Sequence, residues 1–207
     1  ELGLFKVRIP QCPIAGVREA ILNALTHRDY LNPGEILIRH SSKELVVTSP
    51  GGFVAGITPE NILRHEAVPR NRTLANALVK LRLVESSGVG RRRIFRSALV
   101  YGKRRPQYQT DGFSVTLRMF NRETHDVLVQ LVARLDAQGA EVSLDQLLVL
   151  DALMGQAFID VTEVAQVLQL PKDEARQVLE AMCTSPLDLL ERKGHTASAT
   201  FHLAKGV

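Results

Sequence analysis

The chain has 207 residues, 45% hydrophobic and 23% charged, with 26 Lys and Arg against 22 Asp and Glu for a net charge of +4. That is the balance of a globular protein able to bury one large core or two modest ones. No apolar run approaches the roughly 20 residues a membrane-spanning helix requires, so a bilayer-crossing protein is excluded and a cytoplasmic setting is expected. Cys12 and Cys183 are far apart, and the six His residues show no zinc-ligand spacing. The charge is uneven. Residues 1–120 hold 19 basic against 9 acidic side chains, a balance of +10, whereas residues 121–207 hold 7 against 13, a balance of −6. The first stretch suits phosphates; the second repels a nucleic-acid duplex unless its cations are focused locally. The chain opens at Glu1 rather than Met, and Leu4-Phe5-Lys6-Val7 reads like strand. It is therefore expected to be a piece of a longer protein, with any targeting segment outside it.

In chain order, Val17, Ile21, Ala24 and Leu25 form a helical stripe after Pro13 and Gly16, which predicts a helix starting near Ile14. Asn32-Pro33-Gly34 breaks the chain. Ile36-Leu37-Ile38 then pairs with Leu45-Val46-Val47 as a hairpin, and Ser49-Pro50-Gly51-Gly52 forms a turn. Thr58-Pro59-Glu60 reads as a helix start with a hydroxyl cap. Further helices are predicted over 74–83 and 94–99, and Phe113-Ser114-Val115-Thr116-Leu117 alternates like a strand. From Asn121 the texture becomes helical. Val127, Leu128, Leu131, Val132 and Leu135 make an amphipathic stripe that Gly139 ends, a core-packing, coupling or dimer helix. Helices over 144–154, 161–168 and 172–182 follow, and a terminal hairpin turns at Arg192-Lys193-Gly194-His195. Three helices and a terminal hairpin make the winged-helix layout. The domains are expected at 1–120 and 121–207.

Residues four apart share a helix face, so Glu19, Asn23 and His27 line up. A carboxylate there polarises water, and an amide oxygen ligates magnesium. His27 is expected to brace the helix end or the hairpin by hydrogen bonding. Gly51 and Gly52 form one glycine turn. Gly88-Val89-Gly90 forms another at a helix start, where backbone N–H groups meet phosphate and Arg91 and Arg92 neutralise it.

The run Arg18-Glu19-Ala20-Ile21-Leu22-Asn23-Ala24-Leu25-Thr26-His27-Arg28-Asp29-Tyr30 resembles the helix of transcriptional regulators described as RecG-like. The resemblance extends through Ser49-Pro50-Gly51-Gly52, Thr58-Pro59-Glu60-Asn61, Pro69-Arg70-Asn71 and Gly88 to Arg93, and covers roughly residues 8–118. It implies an α+β chain: a Bergerat-type ATPase-like α/β sandwich, related to histidine kinase, gyrase and Hsp90 ATPases, followed by a mostly helical winged-helix domain. It also implies ATP and Mg as ligands and double-stranded DNA as partner. Glu19 becomes the candidate base and Asn23 the Mg ligand, with Gly51, Gly52, Gly88, Gly90, Arg91 and Arg92 around the nucleotide. The family's N-terminal nucleic-acid-binding-like domain is absent from this chain. So is the Asp-x-Gly-x-Gly aspartate that reads adenine in active members of the wider fold: no Asp lies between Ser41 and Thr58.

No Walker A loop occurs, which excludes a helicase motor in this chain, and His27-Arg28-Asp29 lacks the companion motifs of a kinase. In the winged helix, Arg176 and Gln177 are placed to meet base edges, and Arg192, Lys193 and His195 to grip backbone or minor groove. The basic run from Arg91 to Arg105, with Tyr101 and Tyr108 interleaved, is a weaker candidate for single strands and reads first as a solvated helix face. The expected function is transcriptional regulation by a degenerate ATP-binding-like domain coupled to a winged helix, with weak ATPase activity at best. The alternatives are a scaffold or homodimerisation protein whose winged helix binds protein, and a slow ATPase.

Overall fold

The computed structural model describes residues 9–54, 56–84, 89–122, 124–184, 188–194 and 199–204. These fall into two compact units, residues 9–122 and 124–204.

The first unit opens with helix α1 (Ile14–His27), whose buried side is built from small and medium residues: Gly16, Ala20, Leu22, Ala24 and Thr26, with Glu19 among them. Small residues let neighbouring elements approach. A Cβ on Gly16 would collide with Ser97 Oγ and lie 2.6 Å from Met119 Cε. The helix ends where Arg28 turns extended (ψ 140°), its N–H still closing on the Ala24 carbonyl. Strands β1 (Leu37–His40) and β2 (Glu44–Pro50) form the predicted hairpin, with Ile38 opposite Val47. Helices α2 (Arg72–Lys80) and α3 (Gly90–Leu99) follow, then β3 (Gln107–Thr110) and β4 (Ser114–Phe120). The sheet is antiparallel throughout, in the order β1-β2-β4-β3. Side chains alternate across a strand, so Leu45 and Val47 of β2 face the same way as Leu117 and Met119 of β4. With Ala20 and Ala24 of α1 and Ile94 of α3 they form one buried cluster. Each large aliphatic side chain there contributes about 1.5–3 kcal/mol by leaving water. The β3–β4 turn is closed by Asp111, whose Oδ1 accepts from Phe113 N–H at 2.9 Å and Ser114 N–H at 2.7 Å. These bonds hold its carboxyl below the usual carboxylate range.

Several sequence expectations need correction. Residues 59–64 form consecutive turns rather than a helix. The Asn61 side chain takes the Thr58 N–H at 2.8 Å and donates to the Gly56 carbonyl at 2.7 Å, an arrangement that competes with helical bonding. Helix α2 ends at Lys80 instead of residue 83, because Arg82 adopts φ 56°. Helix α3 starts at Gly90, four residues earlier than its apolar stripe indicates. Phe113 lies in the turn before β4, and the sequence reading did not include β3.

The second unit contains α4 (Asp126–Ala137), α5 (Leu144–Leu153), β5 (Ile159–Asp160), α6 (Val161–Leu168), α7 (Lys172–Met182), β6 (Leu190–Lys193) and β7 (Thr200–Leu203). Its three-stranded sheet runs β5-β7-β6, and with the helices it makes a winged-helix-like fold. Ser143 caps α5 in a reciprocal box with Gln146, and Asp160 caps α6 by accepting from Glu163 N–H at 2.9 Å. The turn between α6 and α7 passes through Gln169 at φ 56° and then Pro171, which cannot extend the preceding helix. Leu147, Val164, Leu168, Leu179 and Phe201 are fully buried beneath these elements. None of the described helices is long and apolar enough to cross a membrane.

Candidate functional site

A cavity of about 250 Å³ lies within the first unit, between α1, the helix-facing side of the sheet, α2 and the start of α3. Residues of the stretch between β2 and α2, including Ile57, Ile62 and Val68, supply its remaining wall. Val47, Val115 and Leu117 form an apolar floor from β2 and β4.

Three sequence-predicted groups meet here. Asn23 reaches the cavity from α1, Gly51 and Gly52 from the turn after β2, and Gly90 and Arg91 from the first turn of α3. Gly51 requires its residue type: φ is +95°, its N–H donates to the Phe113 carbonyl at 2.7 Å, and a Cβ would lie 2.7 Å from Asp29 Cβ. At Gly90 the requirement is proximity, since a Cβ would sit 2.7 Å from Glu19 Oε2 and 3.5 Å from Asn23 Oδ1. Gly88 lies outside the described residues.

Glu19 is placed differently from the sequence expectation. It is 4% exposed, does not line the cavity, and accepts a hydrogen bond from Arg93 Nη1 at 2.7 Å. The helical stripe does align Glu19 with Asn23 and His27, but α3 packs over the first of them and its arginine takes the carboxylate. Arg92, one residue before, is also absent from the cavity wall. Arg91 does line it, and its Nη2 donates to the His65 carbonyl at 2.7 Å. Burial pulls its pKa down, with nearby Tyr108 opposing.

Other residues at the site carried little signal. The His27 ring lines the cavity, and the bracing comes from its carbonyl, which accepts from Arg70 Nε at 3.0 Å. Burial, then the Arg91 and Arg70 guanidinium groups, pull the imidazole pKa from 6.5 to about 4. Tyr108 of β3 also lines the cavity, stacked on Phe95 with ring centroids 6.4 Å apart, so it is not an exposed platform for single strands. Burial raises its phenol far above the ordinary value; Arg91 opposes the shift and Glu19 adds to it. The Tyr108 hydroxyl and the Asn23 amide nitrogen are both buried without a hydrogen-bond partner among the described residues.

Magnesium fits this wall poorly. It favours one or two carboxylates beside phosphate oxygens, yet the described lining residues include no Asp or Glu. No group of three or more His, Cys, Asp or Glu suited to a metal occurs among the described residues.

In the second unit Gln177 is exposed and Arg176 half-buried on α7, and Lys193 is exposed on β6. Arg192 Nη1 lies 3.5 Å from Glu180 Oε1, an ion pair across α7 and β6. His195 is outside the described residues.

A family model described as "Putative ATP-dependent DNA helicase recG C-terminal" matches residues 34–119, so α1 with Glu19 and Asn23 precedes the matched span. Among solved structures, the crystal structure of the DIP2311 protein from Corynebacterium diphtheriae is 31% identical with a TM-score of 0.79. The alignment covers 96% of this chain and 42% of that protein, so this chain spans less than half the length of its relative. No curated protein matches the chain. The antiparallel sheet flanked by helices, the convergence of the glycine turns and the family match together establish that the chain contains an ATPase-like (Bergerat-type) domain related to the RecG C-terminal family.

Proposed function

We propose that this chain is the ligand-responsive part of a transcriptional regulator, in which occupancy of a nucleotide-type cavity in the first unit alters DNA engagement by the winged helix. One observation carries the reading: Asn23, the Gly51-Gly52 turn and the Gly90-Arg91 helix start converge on one cavity in an ATPase-like domain. The engagement of Glu19 by Arg93, beside the Gly90 turn but off the cavity lining, supports binding over rapid turnover. The regulator role implies a cytoplasmic location. On the DNA side, Arg176 and Gln177 of α7 with Arg192 and Lys193 of β6 are the contacting groups, in the manner of a recognition helix and wing.

The coupling is a difference in DNA affinity with and without ligand, and it is reciprocal. Titration of ATP with magnesium into the wild type and into Asn23→Ala tests the first half. Saturable binding that weakens in the variant is expected, and equal binding in both would place the nucleotide elsewhere. Fluorescence anisotropy with random-sequence duplex, for wild type and for Arg192→Ala with Lys193→Ala, tests the second. A loss of affinity and a shallower salt dependence are expected.

A second reading has its own support. Asp173, Glu174 and Glu180 are exposed on α7, and Glu180 already holds Arg192. Those carboxylates suit a winged helix that docks a basic protein surface or a second copy of the chain. Unchanged anisotropy in the double variant would favour it.

A further inference from the structure

We infer that the cavity takes an organic phosphate monoester with an aromatic or apolar body, held directly by Arg91, Tyr108 and Asn23 without a divalent metal. The inference rests on the nucleotide-type reading of the first unit and narrows its ligand class.

The argument begins with charge. Arg91 is half-buried, and its one hydrogen-bonded partner among the described residues is a neutral carbonyl, that of His65. The Glu19 carboxylate is committed to Arg93, and no Asp or Glu stands among the described lining residues. A partly desolvated cation without a counter-charge is a costly arrangement unless an anion joins it.

Hydrogen bonding leads the same way. Tyr108 and Asn23 line the same cavity as Arg91, and the Tyr108 hydroxyl and the Asn23 amide nitrogen are buried without a hydrogen-bond partner among the described residues. Few native buried polar groups lack partners, so two on the same cavity as a guanidinium bonded, among the described residues, only to a neutral carbonyl define a place for an acceptor. Gly90 adds the first turn of a ten-residue helix, whose leading N–H groups have no partner within the helix. A phosphate monoester supplies several acceptor oxygens and the missing negative charge together.

The remainder of the cavity selects the body. Val47, Phe53, Ile57, Val79 and Leu117 give this part of the cavity an apolar lining that suits a ring, and Asn76 of α2 is a polar residue among the other lining groups. At about 250 Å³ the cavity falls just below the roughly 300–1,000 Å³ usual for ligand pockets. That volume matches a nucleoside monophosphate or smaller better than a triphosphate with its metal.

The test is calorimetry on the whole chain with three probes: phenyl phosphate in EDTA, AMP in EDTA, and ATP with magnesium. Phenyl phosphate or AMP should bind in EDTA, and Arg91→Gln and Tyr108→Phe should each weaken that binding by about tenfold or more. Tyr108→Phe removes a hydroxyl that is unpaired in the free protein, so it should melt at or above the wild-type temperature. A lost affinity in that variant is then not a folding defect. The inference is overturned if both variants bind the monoester like the wild type, or if the monoester needs magnesium. ATP binding that requires magnesium and Asn23, with no monoester binding in EDTA, would leave the nucleotide-type reading standing and remove this inference. No binding of any probe at millimolar concentration would remove both.

Discussion

Acid should destabilise the first unit in part through His27. Its ring lines the cavity, where burial and the Arg91 and Arg70 guanidinium groups lower its pKa from 6.5 to about 4. The unfolded chain accepts a proton near pH 6.5 that the folded chain refuses until about pH 4. Stability contributed by the neutral imidazole is therefore complete above pH 6.5, declines through that window and levels off below it. At about 1.36 kcal/mol per pH unit the full effect is about 3 kcal/mol, of which about 2.5 kcal/mol is lost by about pH 4.5. Urea unfolding at about pH 7.5 and about pH 4.5, for wild type and His27→Gln, measures it. Tyr30, Tyr101 and Tyr108 are the chain's three tyrosines, and it has no Trp. Tyrosine fluorescence thus reports on the first unit alone. Carboxylates impose a common slope on both proteins, so the quantity to compare is the wild-type loss minus the variant loss. Equal losses would refute the buried, neutral imidazole.

The remaining substitutions probe separate parts of the fold. Glu19→Gln should cost about 1–3 kcal/mol in the same fluorescence assay, below the full value for a buried ion pair because the Arg93 side chain is 40% exposed and water screens it. Gly52→Ala should cost about 1–3 kcal/mol, since its Cβ would collide with the Gly112 carbonyl oxygen. Gly155→Ala, with nothing within 4 Å of the new Cβ, should change stability little when followed by circular dichroism. In the second unit, Ser143→Ala removes the capping box of α5 and should cost about 1 kcal/mol by circular dichroism.

Where the sequence was legible, local signals agreed with tertiary packing. Helix α1 starts at Ile14 after Pro13, and α6 and α7 occupy the predicted spans because Asp160, Gln169 and Pro171 punctuate them locally. The hairpin of β1 and β2 is visible in two β-branched and aliphatic runs around a polar turn. The same signals failed where a side chain answered to a distant partner. Thr58-Pro59-Glu60 has the composition of a helix start, yet the Asn61 amide closes turns instead. Gln107-Tyr108-Gln109-Thr110 contains one large apolar body and shows little periodicity, so β3 becomes visible only when Tyr108 is set opposite Leu117. Glu19 and Asn23 look equivalent on a helical face. Arg93, from an element 74 positions along, separates them into an ion-pair member and a cavity-wall member.

The cover of the cavity and its electrostatics depend on the same short motif, Pro69-Arg70-Asn71. Arg70 donates from Nε to the His27 carbonyl at 3.0 Å and from Nη2 to the Gly52 carbonyl at 2.6 Å. Asn71 donates from Nδ2 to the carbonyls of Thr26 at 3.0 Å and Arg28 at 2.7 Å. The final carbonyls of a helix have no partner within it, so the end of α1 supplies the acceptors that fasten this stretch beside the cavity. The His27 ring is buried beside this stretch, and the Arg70 charge also opposes its protonation. Arg70→Ala removes both influences, so the His27 pKa should rise toward its ordinary value and the acid-dependent loss of stability should shrink below about 2.5 kcal/mol. His27→Gln in the Arg70→Ala background separates this from general destabilisation. The two backgrounds should differ in how much the His27 substitution alters the pH dependence, while a general loss of stability shifts both pH points equally. An unchanged His27 contribution in the Arg70→Ala protein would mean that the motif fastens the chain without controlling the dryness or charge of the cavity.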